Sequence, residues 1–465
     1  MSNKSEMMDG SKSHDLVTGS SPPCLLRRLG LGTTTSIVVA NMIGTGIFTT
    51  TGLMLARVES GWLVLLCWLA GGIVALCGAL CYAELGAMMP WAGGEYVYLR
   101  EIYGRLPAFL TGWTSFFVGF SAPIAATGVA CAAYLSAAGA LPHTWLAGKG
   151  TAIAIVAVLT AVHYCGVRLS AWAQGALTGV TLLLLGGLVL LGFVTGHGSW
   201  QFLESSSNFW APGRPSQLGI VLLWVMFAYS GWNASTYVAE EVQRPGDTLP
   251  RSLVLGTLTV MVVYLMVNLL LFFAAPPTAL RGVVAVGEVA AQRMFGAEAA
   301  VWVSALISVA LLSSLSAYLF TGPRVYFAMA RDALFFRFAA RIHPRFHTPG
   351  PSIVAQGLCA VLMIVSGTFE QLLTYIGFAL GIFPWMAVAG VLVLRRRQPT
   401  RERPYRVWGY PVVPVSYLVA MAWIWGVALL NRPGPSLMAL LTVAAGVPVY
   451  WFTTRRKPVW QAGSS

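Results

Sequence analysis

Long apolar runs recur along this chain and dictate what it can fold into. They fall at roughly 33–57, 61–89, 106–139, 149–166, 170–195, 216–241, 252–275, 295–330, 352–368, 370–394, 412–430 and 434–453. An α-helix rises about 1.5 Å per residue, so about 20 apolar residues cross about 30 Å of hydrocarbon. Most of the runs reach that length. Only 10% of the residues are charged while 57% are hydrophobic, which excludes a soluble or disordered chain. The expectation is an all-α polytopic membrane protein with about twelve transmembrane helices. The run at 106–139 is too long for one upright span and predicts a tilted helix kinked at Pro123.

Two runs are interrupted where a membrane helix should be continuous. One carries Asn41-Met-Ile-Gly-Thr-Gly-Ile-Phe48, the other Phe227-Ala-Tyr-Ser-Gly-Trp-Asn233. Lipid offers no partner to a freed N–H or C=O, so irregular backbone is tolerated only against protein or a watery cavity. The interruptions fall in the first and sixth spans. Five spans separate the starts of the two halves, an odd number that inverts topology, as a 5+5 inverted repeat requires. The expected organisation is a tail over 1–29, a first repeat over 30–200, a second over 201–396, and two further helices with a C-terminal tail over 397–465.

Glycine leaves helical geometry at little steric cost. The N-terminus opened within Ile43-Gly44-Thr45-Gly46-Ile47 carries partial positive charge and suits a carboxylate. Carbonyls opened on the opposing half-helix suit an ammonium. Two facing interruptions make a receptor for a zwitterion without a charged side chain. A Gly-x-Gly notch for helix packing is the plainer reading of the first site. Ser230 and Asn233 in the second, costly at mid-membrane without partners, favour binding.

The net charge of +13 could suggest nucleic acid, but its distribution follows the membrane instead. With a cytoplasmic N-terminus, all but six of the 29 Lys and Arg fall on the cytoplasmic side, as the positive-inside rule expects. The six are Arg57, Lys149, Arg214, Arg281, Arg293 and Arg432. The clusters at 324–345, 395–406 and 455–457 sit in or beside short connections between apolar runs, so no nucleic acid is expected. The partner they imply is a lipid bilayer, with multi-pass placement in the plasma (inner) membrane and both termini cytoplasmic. The polar first 23 residues lack a signal-peptide core and read as a cytoplasmic tail, with the first span as an uncleaved anchor. The seven cysteines lie mostly in apolar runs and predict no disulfide framework. Cys77 and Cys81 share a helix face, but metal binding wants further ligands.

Ile43-Gly-Thr-Gly-Ile-Phe48, Cys81-Tyr-Ala-Glu-Leu-Gly86, Gly93-Gly-Glu-Tyr96 and Phe227-Ala-Tyr-Ser-Gly-Trp-Asn233 occur in that order. Together they resemble the L-type amino acid transporter family of the amino acid–polyamine–organocation superfamily, over about residues 30 to 410. The resemblance implies a leucine-transporter-like fold with helices 1 and 6 broken, alternating access, and L-amino acid transport, often by exchange. By that likeness Ile43, Thr45 and Gly46, with Gly44 and Ile47, form the carboxylate-binding segment. Phe227, Ala228 and Ser230 hold the amino group and line the side-chain pocket. Phe227 resembles an aromatic gate, and Asn233 a polar residue bracing the unwound backbone. Tyr318 stands where relatives often carry a small residue; it either narrows the pocket or packs at a helix interface.

Three departures from the pattern carry expectations. Many relatives place a lysine in the fifth span, where this chain has Thr181. A hydroxyl there leaves two readings: a Na⁺ site made by Thr181, Ser313, Ser314 and first-span carbonyls, or hydroxyls bonded to their own helices, with no cofactor. Relatives preferring cationic substrates carry aspartate at Ser230, so its absence predicts neutral ones. Animal members join a heavy chain through a cysteine between spans three and four. Stretch 140–149 has none, so no disulfide-linked heavy chain is expected, and the likeness points to a bacterial member.

Glu84 lies inside the second span and reads as either a proton-coupling or a structural group, the latter favoured by its nearness to the span's end. Glu240 and Glu241 precede Arg244 and Arg251, where inner-gate ion pairs or a solvated helix end both fit. An enzyme would need acid–base groups gathered at one depth. The six histidines are scattered and no nucleotide-binding loop occurs, so none is expected. A channel would want a lined pore rather than a dead-end pocket.

Overall fold

A computed structural model describes residues 25–138, 145–203, 214–283, 286–366, 376 and 379–454. The tail over 1–23, Cys24, stretch 139–144 and the cluster at 455–457 lie outside the described residues. What is described is almost wholly helical, with a single bridge between Leu29 and Val242. In chain order the helices are α1 (Leu31–Met42), α2 (Thr45–Val58), α3 (Gly61–Met88), α4 (Glu95–Tyr103), α5 (Arg105–Thr114), α6 (Ala122–Ala137), α7 (Trp145–Tyr164), α8 (Val167–Thr195) and α9 (Arg214–Ala228). They continue as α10 (Pro245–Ala274), α11 (Pro277–Leu280), α12 (Val286–Phe295), α13 (Ala297–Arg331), α14 (Gly350–Ser366), α15 (Ile382–Arg397), α16 (Val412–Asn431) and α17 (Pro433–Thr454).

Among the described residues, seven helical segments are long and apolar enough to cross a membrane: 31–58, 61–88, 105–136, 172–194, 245–274, 297–331 and 412–431. Shorter apolar helices lie at 148–164, 215–228, 350–365 and 436–452. Their outward faces carry large apolar side chains such as Leu183, Leu362, Leu430 and Phe452, all exposed. In water these would be costly, but lipid is their matching solvent. The chain is a multi-pass membrane protein.

Residues 105–137 form one helical path, and its irregularity lies ahead of Pro123 rather than at it. Ser115–Ser121 is π-helical, and α6 begins with Pro123 in its first turn. Proline has no N–H for the carbonyl four residues back, so the register widens before it. The polar segment between the apolar runs 61–89 and 106–139 contains α4. Gly93 (φ 116°) and Gly94 (φ 54°) turn the chain into that helix, in conformations that favour glycine.

Packing joins distant parts of the chain at the centre. α3 lies along α10, α1 contacts α10, α8 and α13, and α2 contacts α9. Trp68, Tyr229 and Tyr264 meet edge-on or tilted in the core between α3, α9 and α10.

Candidate functional site

α1 stops at Met42, and α2 starts at Thr45 with Ile43 and Gly44 extended between them. The first residues of α2, Thr45, Gly46 and Ile47, present N–H groups that have no intrahelical acceptor, and no side chain caps them. The carbonyls freed at the end of α1 have partners from distant helices. Tyr318 on α13 donates its hydroxyl to the Asn41 carbonyl at 3.2 Å, and Tyr264 on α10 donates to that of Met42. Thr321 donates to the Asn41 side-chain oxygen at 3.3 Å.

The second interruption begins after Ala228. Residues 229–233 are turns, and Ala234–Glu241 continues as a 3-10 helix. Gly231 sits at φ 98°, where L side chains are strained. A Cβ there would stand 2.6 Å from the Asn41 carbonyl oxygen, so the two interruptions touch. Gly46 faces Ala228 just as closely, with 2.6 Å between a notional Cβ and the alanine Cβ. These two glycines let the unwound segments approach to backbone distance.

Beside this junction lies a cavity of about 100 Å³, room for several waters. Asn41, Phe227, Ser230, Asn233 and Tyr318 are on its wall, joined by Glu95 and Tyr237. The sequence-expected residues therefore divide. Phe227, Ser230, Asn233 and Tyr318 line the cavity. Ile43, Gly44, Thr45, Gly46, Ile47 and Ala228 are buried next to it, in or against the junction, without lining it. Tyr318 stands on the cavity wall with its hydroxyl on the Asn41 carbonyl.

The expected absence of charge around the junction is corrected by Glu95. The first residue of α4 is buried and accepts a 2.8 Å hydrogen bond from Asn233 Nδ2, which also reaches the Tyr237 hydroxyl at 3.1 Å. Glu95 lies outside the membrane-crossing segments. Burial pushes its carboxyl up from 4.5 to about 7, against the lowering effect of hydrogen bonds from Tyr237 and Asn233. Sequence reasoning noticed Glu95 within Gly93-Gly-Glu-Tyr96 but had no sign that a residue 138 positions away would meet it.

The three glutamates that the sequence singled out, Glu84, Glu240 and Glu241, are held by cations. Glu84 accepts from Arg395 Nε at 3.0 Å and from the Val407 N–H at 2.6 Å, with Arg403 Nε at 3.3 Å. That clamp ties α3 to the end of α15 and the following segment, which is the structural role. Glu241 is fully buried against Arg324 of α13, Nε to Oε1 at 2.7 Å, and Glu240 pairs with Arg331 at 2.9 Å. Their partners come from α13 rather than from Arg244 and Arg251, as the sequence had suggested. A local reading favours near neighbours, whereas packing brings α13 against the 3-10 segment.

The three hydroxyls proposed for a cation have different described neighbours. Ser313 Oγ lies 3.4 Å from Thr178 Oγ1 and 3.5 Å from Gln174 Nε2. Ser314 Oγ faces Gly44, 3.2 Å from a notional Cβ. Thr181 Oγ1 is buried without a hydrogen-bond partner among the described residues.

Residues 29–453 match the family model described as amino acid permease. The Asc-type amino acid transporter 1 of Mus musculus is 32% identical over 445 residues, spanning 93% of this chain and 83% of that protein. The large neutral amino acids transporter small subunit 2 of Mus musculus is also 32% identical, over 95% and 84% of the two chains. The b(0,+)-type amino acid transporter 1 of Mus musculus is 29% identical over 94% and 90%.

Proposed function

The chain belongs to the amino acid permease family, and from that premise we propose that it exchanges neutral L-amino acids across the plasma membrane by alternating access. Transport, not enzymatic chemistry, is what the family and its relatives share. The observation that carries the finer reading is the meeting of two interrupted helices at Gly231 and the Asn41 carbonyl, beside a cavity walled by Phe227, Ser230 and Tyr318.

The free N–H groups of Thr45, Gly46 and Ile47 suit the substrate carboxylate. Carbonyls at the end of α1 and around Ala228 suit its ammonium. Phe227 closes over the side chain as the gate, and Asn233 braces the unwound segment through Glu95 and Tyr237. The frame is a leucine-transporter-like 5+5 inverted repeat with about twelve helices, the first and sixth broken, and both termini cytoplasmic. The absence of cysteine from 140–149 supports function without a disulfide-linked heavy chain.

Proteoliposomes loaded with labelled L-leucine and challenged with an external amino acid panel test this. Neutral L-amino acids should accelerate efflux saturably, and Ser230→Asp should raise uptake of arginine and lysine. Efflux indifferent to external amino acid, or a wild-type preference for arginine, overturns it. A sodium-coupled alternative draws on the unpartnered Thr181 hydroxyl. Uptake unchanged when choline replaces Na⁺ removes that alternative.

A further inference from the structure

Three glutamates are buried among the described residues: Glu84, Glu95 and Glu241. Arginines answer two of them, and Glu95 forms no ion pair. A buried carboxylate without a cation is expensive, and the ordinary remedy is to carry a proton instead. Three observations set Glu95 apart. It lies on the cavity wall. It is bonded to Asn233, the residue that ends the second interruption. Its helix is fastened at the molecule's rim, where Tyr96 donates to Asp332 at 2.6 Å and Arg100 pairs with the same carboxylate.

We propose that Glu95 is a proton-binding site linked to the substrate cavity. The proton rests on its carboxyl while the cavity is closed on the face that carries Asp332, and leaves to water when that face opens. This rests on the cavity being the substrate site.

The groups facing Glu95 supply no competing charge. They are tyrosines: Tyr82 from α3, Tyr98 from α4 itself, Tyr237 from the 3-10 segment and Tyr417 from α16. Of the cations on the other elements packed near α4, five are engaged elsewhere. Arg105 donates to the Asp332 carbonyl, Arg324 to Glu241, Arg331 to Glu240, Arg395 to Glu84 and Arg397 to the Ile102 carbonyl.

The sign follows from hydration. In the enclosed position burial holds the carboxyl near 7, and water reaching it returns it toward 4.5. Below the lower value both states carry the proton and the closed state keeps its full advantage. As pH rises from there through the higher value, the open state releases its proton first, and the closed state loses up to about tenfold in relative population per pH unit. Above about 7 no further loss occurs.

The test has two arms. The first is a pH titration of the purified protein in lipid nanodiscs, followed by the infrared C=O stretch of protonated carboxyl groups. Wild type should lose a band with a midpoint near 7 that is absent from Glu95→Gln and displaced in Glu95→Asp. The second is L-leucine exchange at equal pH inside and out. The wild-type rate should climb about fivefold or more between about pH 5.5 and about pH 7.5 and then level. Glu95→Gln should be flat at the low-pH rate, and Glu95→Asp should climb at a shifted pH. The proposal is overturned if the band survives Glu95→Gln, or if that variant keeps the wild-type profile. Loss of cationic-substrate uptake alone in Glu95→Gln, with the profile intact, also overturns it and makes Glu95 a counter-charge. A titrating band with no amino acid exchanged by wild type keeps the proton site and instead defeats the transport reading.

Discussion

Gly231 and Asn233 show how single side chains govern the junction. At φ 98°, with 2.6 Å of clearance to the Asn41 carbonyl, Gly231 has no room for a methyl group. Gly231→Ala should cost about 1–2 kcal/mol in backbone strain alone and force the two interruptions apart. Exchange should fall more than about tenfold, since misplacing binding groups by about 1 Å costs more than the strain does. Exchange assays beside thermal melting separate the two effects. Asn233→Leu removes a donor to the Glu95 carboxylate, and donors to the charged form lower a carboxyl's affinity for protons. The Glu95 infrared midpoint should therefore move above about 7, toward a more persistent proton. A midpoint that stays or falls contradicts the geometry. The glycines of both motifs were visible in the sequence because mid-membrane glycine and asparagine are conspicuous in apolar runs. The Glu95–Asn233 contact was not, because nothing local to either residue names the other.

At the scale of elements, ion pairs tie the 3-10 segment after the second interruption to α13. Arg324 and Glu241 are buried together, and Arg324 also lies over the Phe320 ring, 4.1 Å from its centre. Removing one partner leaves a stranded charge, so Arg324→Met or Glu241→Gln alone should destabilise by about 3–5 kcal/mol. The double variant should recover part of that loss in a double-mutant cycle followed by thermal melting, because no unpaired charge remains. Equal and additive losses would mean that the pair is not coupled. Hydropathy found the seven long apolar helices among the described residues, since runs of about 20 apolar residues have few alternative fates. It passed over α4, whose sequence Glu-Tyr-Val-Tyr-Leu-Arg-Glu-Ile-Tyr has a buried face but little net hydrophobicity. It also could not see the π-helical stretch before Pro123, because the register change depends on backbone bonding rather than composition.

Across the whole molecule, ion pairs sort by face in a way that matches the charge pattern. Glu59 and Arg281, both near residues assigned outside, pair at 2.6 Å. Arg100–Asp332, Arg331–Glu240 and Arg395–Glu84 join segments assigned to the cytoplasmic side. An exposed pair such as Glu59–Arg281 adds little stability, and the value of these pairs here is as markers of topology. With the exposed native Cys165 replaced, a cysteine introduced at Arg281 should react with a membrane-impermeant thiol reagent on intact cells. One at Arg401 should react only after permeabilisation. The reverse pattern would invert the orientation and, with it, the face on which Glu95 gives up its proton.

The Tyr264 hydroxyl bears on how the two interruptions hold together. It reaches both the Met42 carbonyl and, at 2.9 Å, the Ala228 carbonyl, one from each interrupted helix. A phenol has one proton to give, so at any instant one of these two acceptors goes without it. On the proposed reading of the junction, a substrate ammonium would bring further donors, and the amino acid would then serve as a tie between the two helices as well as a passenger.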